Sequence, residues 1–196
     1  MSKVGKKFPD ISVNAMNEMG DTFKINVLQE ALENKKKIIL FWYPKDFTFV
    51  CPTEIHAFQS KLSEFEKRNT MVIGASCDTP EVHFAWLSTP KDNGGIEGVT
   101  FPLIADSTRH LSETLDILDT EYVGTEENYS IEGDNVSYRA TFLIDEEGTI
   151  FHESVNVMPL GRNVDEYLRL IDGYAHNQKH GEVCPAGWRP GQATMK

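Results

Sequence analysis

Every position from 38 to 43 is apolar (Ile-Ile-Leu-Phe-Trp-Tyr), a run of strand length that predicts a buried strand. Beyond Pro52 the pattern changes period. Ile55, Phe58, Leu62 and Phe65 recur on one helical face, so a helix over 53–68 follows the strand at 37–43. Further strands are predicted at 70–76 and 102–105. Helices are predicted after Asp78-Thr79-Pro80-Glu81, over 107–118, and over 164–175, where Val164, Leu168, Ile171 and Ala175 share a face. Strands at 139–145 and 149–157 flank the turn Glu146-Glu147-Gly148. Near the N-terminus, Phe8-Pro9 and Thr22-Phe23-Lys24-Ile25 predict short strands around a turn at Met19-Gly20-Asp21. The acidic stretch 121–135 has no clear period and reads as a surface loop with at most short strand character. Residues 181–196, with their Gly and Pro, read as an extended arm able to reach a neighbouring subunit. Strands alternating with helices and closing in an antiparallel hairpin predict an α/β fold, a central mixed sheet covered by helices.

With 196 residues and no repeat or shift in composition, the chain is expected to form one domain with a sizeable core. The formal charge of −11 disfavours electrostatic binding to nucleic acid or an anionic membrane. No apolar run approaches the ~20 residues of a membrane span. Met1-Ser2-Lys3-Val4-Gly5-Lys6-Lys7 is not followed by a signal-type apolar core, so a cytoplasmic location is expected. The three cysteines are widely separated, which in a reducing compartment points to chemistry rather than to a structural framework.

Of these, Cys51 has the most telling neighbourhood: it stands where the strand gives way to the helix, and the proline after it favours a first-turn position. The unpaired N–H groups and the positive end of the helix dipole favour a thiolate there. Pro44 taken alone is a strand terminator, Thr48 a turn residue and Arg139 a surface charge. Their joint spacing changes that reading. Pro44-x-x-x-Thr48-x-x-Cys51, within Phe47-Thr48-Phe49-Val50-Cys51-Pro52-Thr53-Glu54, resembles the active-site motif of peroxiredoxins, thiol peroxidases built on a thioredoxin-like fold. His180-Gly181-Glu182-Val183-Cys184-Pro185-Ala186-Gly187-Trp188 is similar to the resolving-cysteine motif of the typical two-cysteine subgroup. With Trp86 in Phe84-Ala85-Trp86 and Arg139 ahead of 140–145, the resemblance spans nearly the whole chain. Within the peroxiredoxins it is similar to the alkyl hydroperoxide reductase and thiol-specific antioxidant group.

The resemblance implies a thioredoxin-like peroxidase domain over 1–160, and a C-terminal helix and arm over 161–196 within the same structural unit. It implies that Cys51 attacks a peroxide and becomes a sulfenic acid, with Thr48, the Cys51 N–H and the Arg139 guanidinium as donors. Pro44 would shield the sulfur from water. Cys184 of the partner subunit would resolve the sulfenic acid as an intersubunit disulfide. Glu54 is either a carboxylate that orients Arg139 or an ordinary first-turn acid, and Trp86 is a packing support. Hydrogen peroxide and small organic hydroperoxides would be the substrates, with no cofactor or metal. A thioredoxin or a flavoprotein disulfide reductase would supply electrons, and the oligomer would be a homodimer commonly assembled to a decamer. Cys77, with no motif around it, reads as a semi-buried small residue. A holdase chaperone or redox sensor on the same scaffold remains a rival, whereas a disulfide reductase is disfavoured by the lack of Cys-x-x-Cys. Gly94-Gly95-Ile96-Glu97-Gly98 resembles the Gly-Gly-Leu-Gly segment of peroxide-sensitive members with one extra residue. The Tyr-Phe element that accompanies it is not found by Lys196, so resistance to sulfinic-acid formation is expected.

Overall fold

The computed structural model describes residues 1–125 and 127–195, so the readings of the 121–135 stretch at Glu126 and of the arm at Lys196 fall outside the described residues. The elements in chain order are β1 (Ser12–Met16), β2 (Thr22–Asn26), α1 (Val27–Asn34), β3 (Lys37–Trp42), α2 (Cys51–Ser60), α3 (Leu62–Lys67), β4 (Thr70–Ser76) and α4 (Pro80–Leu87). They continue with β5 (Leu103–Ala105), α5 (His110–Thr114), β6 (Glu121–Thr125), β7 (Asn128–Glu132), β8 (Arg139–Ile144), β9 (Ile150–Asn156) and α6 (Val164–His180).

Seven strands form one mixed sheet in the order β2-β1-β5-β4-β3-β8-β9, in which β3, β4 and β5 run parallel and the other pairs antiparallel. The apolar run of β3 lies centrally in this sheet and is buried throughout. Its alternate residues feed two cores, as the strand period requires. Ile38, Leu40 and Trp42 meet Val27 and Ala31 of α1 and Leu111 of α5. Ile39, Phe41 and Tyr43 meet Cys51, Ile55 and Phe58 of α2, Phe65 of α3, Trp86 of α4 and Leu168 of α6. Phe41 stacks on Phe58 with ring centroids 3.9 Å apart. Gly74 of β4 makes room for that stack, because a Cβ there would lie 2.8 Å from Leu103 Cδ2 and 3.2 Å from Phe41 Cζ. This is a thioredoxin-like fold, a central mixed sheet with helices on both faces.

Several element boundaries differ from expectation for local reasons. The helix predicted over 53–68 begins at Cys51 and is interrupted at Lys61 (φ −105°, ψ 6°), giving α2 and α3. The helix predicted over 107–118 contracts to α5, because Arg109 before it and Asp116 after it take left-handed conformations at φ 62° and 61°. Asp106 caps that short helix, accepting from the N–H groups of Leu111 and Ser112. The last helix runs on to His180 and stops at Gly181, whose φ of 67° is the usual left-handed end. Strand β1 and helix α1 were not marked by sequence pattern, whereas Phe8 is a buried side chain packed edge-on against Phe142 rather than part of a strand. The 121–135 stretch contains the hairpin β6-β7, exposed along both strands and separate from the main sheet. The arm after α6 doubles back through a bridge between Val183 and Met195.

Candidate active site

The C-terminal end of β3, the first turn of α2 and the start of β8 meet around Cys51. It is the first residue of α2, preceded by Val50, which offers no side-chain cap, and followed by Pro52. The helix therefore starts without a competing side chain at its positive end. Cys51 is fully buried. Arg139, the first residue of β8, donates from Nη1 to Cys51 Sγ at 3.3 Å and to Glu54 Oε2 at 2.7 Å. Its Nε donates to the carbonyl of Met158, which fixes the guanidinium plane.

Glu54 lies one turn along α2 and is as buried as Arg139, each side chain being 4% exposed. Its carboxylate also receives Arg162, Nε on Oε1 and Nη2 on Oε2, both at 2.9 Å, and the Arg162 N–H at 2.9 Å. Arg162 in turn donates from Nη1 to the carbonyls of Trp42 and Ala140, each at 2.8 Å, tying the end of β3 to β8. Burial alone would raise the Glu54 carboxyl, but the hydrogen bonds and charge of Arg162, with the charge of Arg139, hold it below its ordinary 4.5. The buried set is thus two guanidinium cations around one carboxylate, with the Cys51 sulfur against Arg139.

The other expected site residues are placed less uniformly. Pro44 is buried two residues after the end of β3. Thr48 is half-buried in the same loop and donates to Lys45 O at 3.1 Å rather than to the sulfur. Trp86 is buried, donates to Gly94 O at 2.9 Å, and has its ring 5.9 Å from Phe47 and 5.8 Å from Tyr43, so it packs against the loop that leads to Cys51. Cys184 is elsewhere, half-buried on the arm with Sγ donating to Gly173 O at 3.6 Å. It borders a cavity of about 360 Å³ lined by Phe151, His152, Arg169 and Tyr174 among others. Within one chain the two cysteines are not brought together, and Cys51, Cys77 and Cys184 are all free thiols. Cys77 is buried against Ser112, and burial pushes its thiol up from 9.0. No cluster of three or more His, Cys, Asp or Glu side chains among the described residues is placed to hold a metal ion.

The site thus consists of a thiol at an uncapped helix start in direct contact with an arginine that a buried carboxylate also holds. Residues 4–153 match the model of the AhpC/TSA family. The chain belongs to the AhpC/TSA family. Residues 174–196 also match the C-terminal domain of 1-Cys peroxiredoxin. The alkyl hydroperoxide reductase C of Helicobacter pylori is 43% identical over 196 residues, covering 100% of this chain and 90% of its own. Peroxiredoxin-1 of Gekko japonicus is 42% identical over 98% of this chain and 89% of its own. Among solved structures, reduced 2-Cys peroxiredoxin of Plasmodium vivax superposes with a TM-score of 0.88 at 38% identity, over 100% of this chain and 94% of that one. The AhpC of Enterococcus faecalis gives 0.79 at 29% identity, over 94% and 100%. As an AhpC/TSA protein the chain is a thiol-peroxidase oxidoreductase of the two-cysteine peroxiredoxin kind, a family context of thiol-based redox partners and oligomers.

Arg162 is the site residue that sequence reasoning missed. It stands in Pro159-Leu160-Gly161-Arg162, just ahead of α6, and no spacing links it to Cys51. Only the return of the chain from β9 brings it to Glu54.

Proposed function

We propose that Cys51 is the peroxidatic nucleophile and Cys184 of a partner subunit the resolving thiol, in an enzyme that reduces hydrogen peroxide and small organic hydroperoxides. The reading is carried by the 3.3 Å contact from Arg139 Nη1 to Cys51 Sγ at the start of α2. An anionic sulfur balances the charge of the two guanidiniums and one carboxylate gathered there. The thiolate attacks one oxygen of the peroxide, the O–O bond breaks, and the other oxygen leaves with a proton as water or alcohol, so Cys51 becomes a sulfenic acid. Charge that builds on the leaving oxygen is met by donors already in place, each worth about 3 kcal/mol in such sites. Arg139 presents a fork that can span sulfur and peroxide, the open N–H groups of the first turn add to it, and Thr48 supplies a hydroxyl once it leaves Lys45 O. Pro44 covers the sulfur from a neighbouring loop position without offering an N–H.

The sulfenic acid is then attacked by the Cys184 thiolate of a second copy, releasing water and forming the intersubunit disulfide. A disulfide needs Cα atoms within about 7 Å, so the first turn of α2 and the arm must both leave their positions in each cycle. A thioredoxin or a flavoprotein disulfide reductase returns both thiols. The second copy is accommodated at β9, the outer strand of the sheet, where Val155, Val157 and Leu160 are exposed on or beside an open edge. Assembly of dimers to a decamer follows the family pattern.

Peroxide consumption coupled to each reductant tests the scheme. Cys51→Ser is expected to abolish turnover, and Cys184→Ser to permit one stoichiometric oxidation and then stop. Full turnover by Cys51→Ser would overturn it.

A further inference from the structure

Beneath the loop between β3 and α2 lies a set of buried polar groups that the chemistry above leaves unused. Asp46 belongs to that loop, between Pro44 and Thr48, and its side chain turns inward to meet His83 of α4. His83 Nδ1 and Asp46 Oδ2 are 2.7 Å apart, and the side chains are 0% and 1% exposed. The other ring nitrogen, Nε2, faces Ile104 O at 3.1 Å. A carbonyl can only accept, so Nε2 carries a proton, and the contact between Nδ1 and the carboxylate needs a second one. The pair therefore holds its proton and locks Asp46 to both α4 and β5. Burial acts to lower the His83 imidazole, but the bond and charge of Asp46 outweigh it and raise the group above 6.5. Burial likewise raises the Asp46 carboxyl from 3.8.

The backbone of Asp46 is anchored as well. Its N–H donates to Asp78 Oδ2 at 2.9 Å, and the same oxygen receives Ser76 Oγ at 2.8 Å. The residue after it, Phe47, sits at φ 53°, a left-handed conformation that a bulky L-residue adopts only when its surroundings impose it. Phe47 is 53% exposed and its ring meets only Trp86 among the aromatic residues, so the buried anchors of the turn are those of Asp46. Thr48 follows, closing the turn on Lys45 O.

From this the geometry points to Asp46 and His83 as a positioning pair for the peroxidase reaction: by holding a strained turn from below, they set where Thr48 stands relative to Cys51. Neither side chain touches substrate. The inference rests on the reading of Cys51 as the peroxidatic thiol and of Thr48 as a donor to the peroxide.

The test is the rate of Cys51 oxidation by hydrogen peroxide in a single turnover, read by stopped-flow tryptophan fluorescence on the full chain, with thermal unfolding recorded for each variant. His83→Leu removes the clamp and is expected to slow oxidation by roughly 10- to 100-fold, the scale of a misplaced donor. His83→Asn keeps an N–H donor where Nδ1 stood and is expected to recover most of the rate. Thr48→Val should slow the unsubstituted protein but add little in the His83→Leu background, because the two act through one another. Multiplying penalties in the double variant, a normal rate in His83→Leu or in Thr48→Val, or a His83→Asn as slow as His83→Leu would each overturn the inference. Phe47→Gly covers the case in which His83→Leu fails to fold, since it relieves the left-handed strain and leaves the pair intact. It is expected to react within about twofold of the unsubstituted protein. A loss on the scale given for His83→Leu would show that the Phe47 side chain sets the turn, and would overturn the inference too. If peroxide leaves Cys51 unoxidised in the unsubstituted protein, the peroxidase reading fails and takes this one with it. A reactive Cys51 with multiplying penalties rejects the positioning role alone.

Discussion

Arg139 and Glu54 show how a residue's role depends on its own chemistry together with what it is buried against. Arg139 is held by Met158 O and Glu54, so its contact with Cys51 costs no reorganisation when charge develops. Replacing it with Met is expected to slow sulfenate formation by roughly 100-fold with the protein still folded, and Lys is expected to rescue poorly because an ammonium lacks the planar fork. Rapid-quench trapping of the sulfenic acid measures both; near-normal rates would make Arg139 structural. Glu54 serves the fold as well as the site. Removing it in Glu54→Gln leaves two buried guanidiniums without their anion, a loss on the order of 3–5 kcal/mol that urea denaturation can read. Its carboxyl is depressed in the fold, so its contribution is complete above the unfolded value near 4.5 and is lost as pH falls through the lower folded value. The gap between the two proteins' urea midpoints should therefore be widest above about pH 4.5 and close beneath it. A gap that stays constant in acid would refute the assignment.

Among the elements, the hairpin β6-β7 and strand β3 are opposites. Each position of β3 is buried and every one after Lys37 feeds one of two cores, whereas each position of the hairpin strands is exposed and enters neither core. Below the hairpin the chain is already pinned by the bridge between Leu118 and Ser137 and by bonds joining Asp119 to Val136 and Asn135. Replacing residues 121–132 with a short turn should thus change unfolding free energy by no more than about 1 kcal/mol, since loop length costs little. Oxidation of Cys51 should proceed at a normal rate in the shortened protein. A large loss of stability would mean that the hairpin packs against something that a single chain does not contain.

At the scale of the whole molecule, Cys51 belongs to the second core and Cys184 lies on an arm folded against α6, so one chain by itself cannot bridge them without large movement. Peroxide is expected to convert the monomer band to a dimer on a non-reducing denaturing gel. Cys77→Ser should leave that band unchanged, because Cys77 is buried against Ser112. A dimer lost only in the Cys77 variant would show that the pair is misassigned. Among the described residues no helix is long and apolar enough to cross a membrane.

Much of this was legible in the chain because it is local. The run at 38–43 has only one burial that suits it, Pro52 ahead of a helical apolar period favours a helix start, and the string around Cys51 marks a family by its own letters. The strand Thr70–Ser76 was read with its true ends for the same reason. Helix lengths were less legible, since α5 is cut short by left-handed Arg109 and Asp116, conformations that nothing in their side chains demands. What the sequence could not disclose was contact across chain distance. Arg162 reaches Glu54 from 108 residues away, and His83 reaches Asp46 from 37. A buried charge needs a partner, but the partner can come from any element that the topology brings past it. The family and the candidate cysteine were therefore set by the sequence itself, while the groups around Cys51 and beneath its loop were decided only when β8, the segment after β9 and α4 closed on them.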